Sequence, residues 1–322
     1  MIDFSGQAVI VTGAGRGLGR LYALDFARRG ASVVVNDLGS TMGGDGADTQ
    51  VADAVVAEIQ TAGGVAVASY ESVATVAGGQ AIVDGALDAF GRLDAVVSNA
   101  GIFDTQPFED LTPDAWRRML EVHLDGAFHI SQPAYRAMKS RGYGRFVFTA
   151  SSAGLFGQPS SAHYAAAKAG TFGLANVIAI EGATHGILAN CVLPFGYSRM
   201  VSETVGDRDE VEPDPGFLHA IEPELVVPMV VYLASRACEL THHSFSACAG
   251  RYARVFVGLG DGWVAATDGT PTAEDVAAHW PGVVRAEPYT IPDSIFDEVF
   301  KVCAQLGIDQ NRTGEKRARN QS

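Results

Sequence analysis

The sequence is short of positive charge and of long hydrophobic runs. Its 322 residues include 23 Lys and Arg against 37 Asp and Glu, which gives a formal net charge of −14. A chain this acidic is a poor general binder of nucleic acid or anionic membranes, because both need clustered basic side chains. The longest apolar stretch, Leu225 to Ala234, is interrupted by Pro228 and is too short to cross a bilayer. We therefore predict no nucleic-acid partner and no membrane association.

Cysteine is also scarce, and its four positions form no closely spaced framework: Cys191, Cys238, Cys248 and Cys303. Free, mostly buried thiols are typical of a reduced cytoplasmic setting. The first six residues lack the basic and apolar regions of a secretory signal. The spacing of Cys238, His242, His243 and Cys248 is not that of a zinc site. We expect a cytoplasmic protein without a metal.

Hydrophobic residues make up 47% of the chain and charged residues 19%, which is typical of a globular protein with a large core. Short β-branched runs alternate with stretches of helical periodicity from Gln7 to Ala234. The predicted strands are Gln7–Thr12, Ser32–Val35, Val65–Ala68, Leu93–Val97, Arg145–Thr149 and Ile187–Leu193. Helices are predicted between them, including one or two over Pro113–Ala137 and one over Ala162–Gly182.

This alternation predicts an α/β fold, a Rossmann-type doubly wound parallel sheet with helices on both faces. We predict a dinucleotide-binding and catalytic domain over residues 1–250. A C-terminal extension, residues 251–322, is expected to pack on the same domain, with about its last ten residues disordered. Two long loops interrupt the alternation, the glycine-rich Gly39–Thr49 and the acidic Ser202–Pro215.

A glycine-rich turn follows the first predicted strand. Gly13, Gly17 and Gly19 stand where a strand passes into a helix, so that the backbone can approach a pyrophosphate. Asp37 ends the second strand, where an acid accepts hydrogen bonds from ribose hydroxyls and repels a 2′-phosphate. Arg16 is a counter-signal, because a cation in this turn can meet a 2′-phosphate. A tight turn without a ligand is the alternative; we favour NAD as the cofactor.

Tyr164 and Lys168 are four residues apart, on one face of a predicted helix. A free tyrosine has a pKa of about 10, and a nearby ammonium together with a positively charged nicotinamide favours the tyrosinate and lowers that value. The pattern alone is also compatible with a pair of surface side chains. The Tyr164–Lys168 pair indicates a function only in combination with the glycine turn.

Taken together, four motifs resemble the short-chain dehydrogenase/reductase family. They are Thr12–Gly19, Ser98–Gly101, Ser151 and Tyr164–Lys168, with Ser151 thirteen residues before Tyr164. The resemblance covers roughly residues 5 to 250. It implies an NAD-dependent enzyme that interconverts a secondary alcohol and a ketone by hydride transfer.

The resemblance also implies roles for individual residues. Tyr164 is expected to be the general acid/base, Lys168 to bind the nicotinamide ribose and lower the pKa of Tyr164, and Ser151 to bind the substrate oxygen. Ser152 is the adjacent rival, with a poorer spacing. Ser72 stands where the family has an acidic residue, which puts its adenine contact in doubt. The expected cofactor-binding residues are Gly13, Arg16, Gly17, Leu18, Gly19, Asp37, Leu38, Ser72, Val73, Asn99, Ala100, Gly101, Tyr164, Lys168, Pro194 and Ser198.

His123 is a second departure from the family pattern. The family often has an asparagine at this position, where it completes a proton relay, and this chain reads Val122-His123-Leu124-Asp125-Gly126. A neutral imidazole can relay protons through water, and its ordinary pKa is near 6.5. We include His123 among the candidate catalytic residues; the alternative is a histidine that only fills space in a helix.

A narrower resemblance is to the (3R)-hydroxyacyl-CoA dehydrogenase region of peroxisomal multifunctional β-oxidation proteins. It rests on Val33–Gly39, Val122–Gly126, Gly173–Asn176 and Ser198–Met200, and extends to about residue 300. The six acids of Ser202–Pro215 disfavour a polyanionic CoA, so the substrate is either 3-hydroxyacyl-CoA-like or an alicyclic or steroid-like alcohol. The alternative function is a catalytically silent NAD-binding scaffold or sensor.

The predicted helix Ala162–Gly182 is apolar or small on nearly every face. A helix of this kind covers more than its own sheet. Members of the family use this helix for subunit contacts. We therefore expect a homodimer or homotetramer.

Overall fold

A mostly parallel sheet forms the centre of the part of the chain that ends at Val255. Within the described residues, eight strands lie in one sheet in the order β3-β2-β1-β4-β5-β6-β7-β8. Strands β1 to β7 are parallel, and β8 pairs antiparallel with β7 at the edge. The computed structural model describes residues 2–196, 216, 220–266 and 269–308. The strands are β1 Ala8–Thr12, β2 Ser32–Asn36, β3 Val65–Ser69, β4 Ala95–Ser98, β5 Gly144–Thr149, β6 Ile187–Phe195, β7 His243–Cys248 and β8 Arg251–Val255.

Helices connect consecutive strands and cover both faces of the sheet. They are α1 Gly17–Arg28, α2 Gln50–Thr61, α3 Val76–Phe90, α4 Pro113–Leu120, α5 Gly126–Arg141, α6 Ala153–Phe156, α7 Ala162–Gly182 and α8 Val227–Ala234. A π-helical turn, Glu121–Asp125, joins α4 to α5 without a break. This arrangement confirms the predicted Rossmann-type doubly wound fold.

Two hydrophobic clusters flank the sheet, and the alternation of strand side chains divides them. On β1, Val9 and Val11 belong to the cluster that includes α1, α2 and α8, while Ile10 belongs to the cluster with α3, α5 and α7. Buried side chains such as Tyr22 of α1 fill the first cluster. Full burial of a large apolar side chain contributes about 1.5–3 kcal/mol, so these layers hold the strand ends in place.

The order of the strands defines where a ligand can bind. The chain leaves β1 in one direction toward β2 and β3, and the later strands add on the other side from β4. The carboxyl ends of β1 and β4 therefore border a crevice at the switch point, the place where such sheets bind ligands. The glycine turn after β1 and Asn99–Gly101 after β4 both lie at this edge.

Two elements differ from the sequence-based expectation. The pattern predicts no strand at His243–Cys248, because that segment has polar residues on both sides of Phe245; it pairs with β6 nonetheless. The predicted helix or helices over Pro113–Ala137 form one uninterrupted helical segment that runs to Arg141. No helix in the described ranges is both long enough and apolar enough to span a bilayer.

The chain divides into two compact units, residues 1–255 and 256–322. In the second unit, two short strands, β9 Leu259–Gly260 and β10 Tyr289–Thr290, pair antiparallel. Its helices are α9 Ala273–Ala278, α10 Trp280–Val283 and α11 Ile295–Gln305. The expected packing of the C-terminal extension on the first domain stays a prediction, and the expected disorder of the last ten residues lies outside the described ranges.

Candidate active site

One cavity of about 800 Å³ lies at the crevice between β1 and β4. Apart from Ser198, which lies outside the described residues, every residue predicted to bind cofactor lines it, and so do Ser151 and His123. Those lining residues are Gly13, Arg16, Gly17, Leu18, Gly19, Asp37, Leu38, Ser72, Val73, Asn99, Ala100, Gly101, His123, Ser151, Tyr164, Lys168 and Pro194. The fold therefore brings four separate sequence motifs to one space, and its volume falls within the range of ligand pockets.

The glycine turn fits a pyrophosphate. A Cβ at Gly19 would lie 2.0 Å from the carbonyl oxygen of Gly13, so only glycine permits this close turn. Among the described residues, no side chain caps the N-terminus of α1, which begins at Gly17 beside the cavity. The backbone N–H groups and the positive potential of a helix N-terminus are suited to bind phosphate.

Asp37 is held by two backbone amides at the end of β2. Its Oδ2 accepts a hydrogen bond from Gly15 N at 2.8 Å, and its Oδ1 accepts one from Gly39 N at 2.7 Å. This fixes an anionic acceptor at one end of the cavity. Arg16 turns toward the backbone instead and donates from Nη1 to the carbonyl oxygen of Ser40 at 3.0 Å.

Asn99 ties the end of β4 to the glycine turn. Its Nδ2 donates to the carbonyl oxygen of Thr12 at 3.0 Å, and its backbone N donates to Thr12 Oγ1 at 2.9 Å. On the neighbouring wall, Ser72 Oγ accepts a hydrogen bond from Ala74 N at 3.3 Å. Val73 is buried there and presents an apolar side chain to the cavity.

Tyr164, Lys168 and Ser151 meet at the other end of the cavity. Tyr164 and Lys168 lie one turn apart on α7, and Lys168 Nζ is 5.7 Å from the centre of the Tyr164 ring. Lys168 Nζ donates to the carbonyl oxygen of Thr149 at 2.6 Å, and the Ser151 hydroxyl hydrogen-bonds Tyr164. Ser152 is not among the lining residues in the described part of the chain.

Burial dominates the ionisation of this group. It raises the pKa of Tyr164 above its ordinary value, and the hydrogen bond from Ser151 offsets only part of that rise. Burial also lowers the pKa of Lys168 to about 8. The expected lowering of the Tyr164 pKa by Lys168 and the nicotinamide stays a prediction; without a cofactor, desolvation of the phenolate raises the pKa.

His123 lies in the π-helical turn and packs edge-on against Tyr164, with ring centres 5.2 Å apart. Its Nε2 is 2.7 Å from the carbonyl oxygen of Ile102, and the Nδ1 atom is buried without a protein partner. Burial, reinforced by the charge of Lys168, holds the pKa of His123 well below its ordinary value. The imidazole is therefore neutral at physiological pH.

Several lining residues lie outside the sequence motifs. Phe103 packs edge-on against Tyr164 at 5.6 Å between ring centres. Met42 and Gly44 reach the cavity from the Gly39–Thr49 loop, and Arg118 reaches it from α4. The glycine content of the loop indicated a turn, but no local signal connects it with Phe103, because that contact joins distant parts of the chain.

Comparison with known proteins agrees with this geometry. The model of the family described as short chain dehydrogenase matches residues 7–208. The chain belongs to the short chain dehydrogenase family. The mouse peroxisomal multifunctional enzyme type 2 is 41% identical over 320 residues, which is 97% of this chain and 42% of the relative. A hydroxyacyl-CoA dehydrogenase of Mycobacterium tuberculosis is 37% identical, with coverage of 73% of this chain and 74% of the relative.

The structure of full-length peroxisomal multifunctional enzyme type 2 from Drosophila melanogaster aligns with a TM-score of 0.78 and 32% identity, over 95% of this chain and 50% of that one. The chain thus spans about half the length of these multifunctional relatives. Both predicted resemblances are confirmed.

Proposed function

We propose that this protein interconverts a secondary alcohol and a ketone, with Tyr164 as the general acid/base. The observation that carries the proposal is the meeting of Tyr164, Ser151 and Lys168 in one cavity with Asp37 and the glycine turn. NAD(H), when bound there, supplies the acceptor or donor of the hydride. The protein supplies the proton and the orientation of the substrate oxygen.

The cofactor would extend from Asp37 to Tyr164. Asp37 would accept hydrogen bonds from ribose hydroxyls, the start of α1 would bind the pyrophosphate, and Lys168 would bind the second ribose. Ser151 would donate a hydrogen bond to the carbonyl or alkoxide oxygen of the substrate. Tyr164 Oη would give its proton to that oxygen in reduction and take it back in oxidation.

The raised pKa of Tyr164 bears directly on these roles. A protonated phenol is ready to donate in the reductive direction. In the oxidative direction the tyrosinate needs positive charge, which the ammonium of Lys168 and the oxidised nicotinamide ring supply together. The protein and its cofactor are thus both needed for an effective base.

For the substrate, we propose a 3-hydroxyacyl-CoA-like thioester. The support is the name of the mycobacterial relative and the similarity to peroxisomal multifunctional enzymes. A neutral alicyclic or steroid-like alcohol is the second candidate, favoured by the six acids of Ser202–Pro215, which lie outside the described residues. A parallel measurement of kcat/KM on 3-hydroxyacyl-CoA esters and on neutral cyclic and steroidal alcohols discriminates the two.

Substitution of Tyr164 by Phe tests the reaction. General acid/base catalysis contributes about 10²–10⁴-fold, so Y164F is expected to lose at least 100-fold in kcat while it binds NADH as the wild type does. A variant with near-normal turnover would refute the role of Tyr164. A wild-type protein that binds NADH but oxidises or reduces nothing in the substrate panel would favour the scaffold alternative.

We further propose a homodimer or homotetramer in the cytoplasm. Val177 and Ile180 of α7 are 53% and 49% exposed, and Phe128 of α5 is 44% exposed, although all three are apolar. Surfaces of this kind favour contact with a second copy. Free thiols at all four cysteines suit a reducing compartment. Fractionation must decide between cytoplasm and peroxisome, since curated relatives include peroxisomal enzymes.

A further inference from the structure

The glycine-rich loop Gly39–Thr49, which we call the strap, runs along one side of the cofactor cavity. It begins two residues after Asp37, at the end of the cavity proposed for the adenosine ribose. Ser40, Thr41, Met42 and Gly44 of the strap line the same cavity as the glycine turn. The strap therefore forms part of the wall of the cavity.

The middle of the strap is bonded to the catalytic end of the cavity. Phe103 N donates a hydrogen bond to the carbonyl oxygen of Met42 at 3.0 Å. The ring of Phe103 packs against Tyr164, so Met42 is joined to the reactive end through one residue. The strap thus connects the Asp37 end with the Tyr164 end.

An ion pair fixes the tip of the strap. The carboxylate of Asp45 pairs with the guanidinium of Arg118 on α4, a residue that also lines the cavity. Asp45 is set for this contact by a tight turn, in which its N donates to Thr41 Oγ1 at 3.1 Å and Thr41 N donates to its carbonyl oxygen at 2.8 Å.

Gly44 brings the tip into close contact with its neighbours. Its φ of +88° is a conformation that favours glycine. A Cβ at this position would lie 2.9 Å from Ile102 Cγ2 and 3.2 Å from Arg118 Nη2. The strap is therefore seated directly on the segment that carries Phe103 and on the side chain of Arg118.

We propose that the strap retains the dinucleotide in its cavity, and that the Asp45–Arg118 ion pair holds the strap closed. Asp45 and Arg118 are positioning residues, because they act through Met42 and Phe103 and not on the reacting atoms. The proposal rests on the proposed cofactor site. A dinucleotide that reaches from Asp37 to Tyr164 is covered along this side, so its release on that side requires the strap to move.

The chain offers a matched control on the same helix. Arg117 pairs with Asp114, three residues away, and neither lines the cavity in the described part of the chain. The side chains of Arg117 and Asp114 are 64% and 96% exposed, against 42% and 75% for Arg118 and Asp45. R117M therefore removes a comparable surface charge from α4 without touching the strap.

The experiment measures the rate at which NADH leaves the protein, by stopped-flow fluorescence with excess NAD as the trap. Exposed ion pairs contribute little, so R118M and D45N are each expected to accelerate release about two- to fivefold, while R117M leaves it unchanged. Melting temperatures of R118M and R117M without cofactor are expected to agree. Salt is expected to accelerate release from the wild type and to have less effect on R118M, because it screens this pair.

The double variant D45K/R118E exchanges the two charges of the ion pair. It is expected to release NADH more slowly than the single variant D45K or the single variant R118E. The proposal is overturned if R118M and R117M release NADH at the same rate, or if D45K and R118E are additive in the double variant. A wild type that does not bind NADH, or one whose affinity Asp37→Ala leaves unchanged, refutes the proposed cofactor site instead. The two failures are thus distinguishable.

Discussion

His123 Nε2 lies 2.7 Å from the carbonyl oxygen of Ile102. Nε2 also lies 3.1 Å from Ile102 N, so this nitrogen faces a backbone acceptor and a backbone donor, and the tautomer decides which of the two it bonds. A backbone carbonyl cannot accept a proton and pass it on. Because both partners of Nε2 are backbone groups of Ile102, a proton path through the ring ends there in either tautomer.

This geometry predicts how substitution of His123 affects the pH dependence. Because burial keeps the pKa of His123 well below its ordinary value, the wild-type profile of kcat/KM is expected to show no ionisation near pH 6.5. H123N retains an amide that can donate to Ile102 and is expected to stay within about threefold of wild type, whereas H123L is expected to lose about tenfold, the order of one hydrogen bond. A limb near pH 6.5 that disappears in H123N would show that the ring itself carries protons.

A second prediction concerns Lys168 and stability. Its pKa is about 8 in the folded protein and near 10.4 when unfolded. Between these values the unfolded chain binds more protons, so the free energy of unfolding rises with pH across this window. The wild type is expected to gain on the order of 3 kcal/mol relative to K168M between pH 8 and 10.4. Urea denaturation without cofactor at several pH values in this window measures the gap.

K168M is expected to lose activity at every pH, because Met cannot bind a ribose or favour the tyrosinate. A constant gap in stability between K168M and the wild type would show that the ammonium of Lys168 is not affected by burial. Thr149 keeps its backbone carbonyl in both proteins, so the loss of that hydrogen bond adds a term that does not depend on pH.

Asp37 is expected to determine the choice between NAD and NADP. Hydrogen bonds to a charged group contribute about 1.5–3 kcal/mol, so D37A is expected to lose about 10- to 100-fold in kcat/KM with NAD. D37N keeps the shape of the side chain and removes the charge that repels a 2′-phosphate, so it is expected to improve use of NADP more than D37A does. An unchanged NAD/NADP ratio in both variants would contradict the role of Asp37.

The exposed apolar side chains of α7 provide a test of assembly. The double variant V177E/I180E is expected to be monomeric by light scattering, since paired like charges cannot be buried at a symmetric contact. Val76 on α3 is 70% exposed, and V76E is the matched control that should keep the wild-type mass. A wild type that is already monomeric, or a double variant of unchanged mass, would refute α7 as the contact.

The sequence predicts the sheet well because parallel strands buried on both faces are continuous apolar runs. Helix α7 begins and ends where its pattern predicts, at Ala162 and Gly182. Strand β7 was not predicted, because His243–Cys248 gains its stability from pairing with β6 and not from its own composition. A strand of this kind is defined by the strands on either side of it.

In the candidate site, too, local patterns predicted some residues, and contacts between distant segments define the others. Residues in local motifs, such as Gly13 and Tyr164, could be assigned from spacing. The roles of Met42, Phe103 and Arg118 depend on contacts between segments far apart in the chain. The rise in the pKa of Tyr164 was also not predicted, because it depends on burial, which only the folded protein defines.

The π-helical turn Glu121–Asp125 makes this part of the chain sensitive to length. Three consecutive residues of this turn, Glu121, Val122 and His123, line the cavity. In a regular α-helix, consecutive side chains point about 100° apart. A π turn contains one residue more than an α-helical turn, so deletion of one residue here would close it to an α-helical turn and change which of these three side chains face the cavity. Side-chain changes at Val122 should therefore be better tolerated than any insertion or deletion between Leu120 and Gly126.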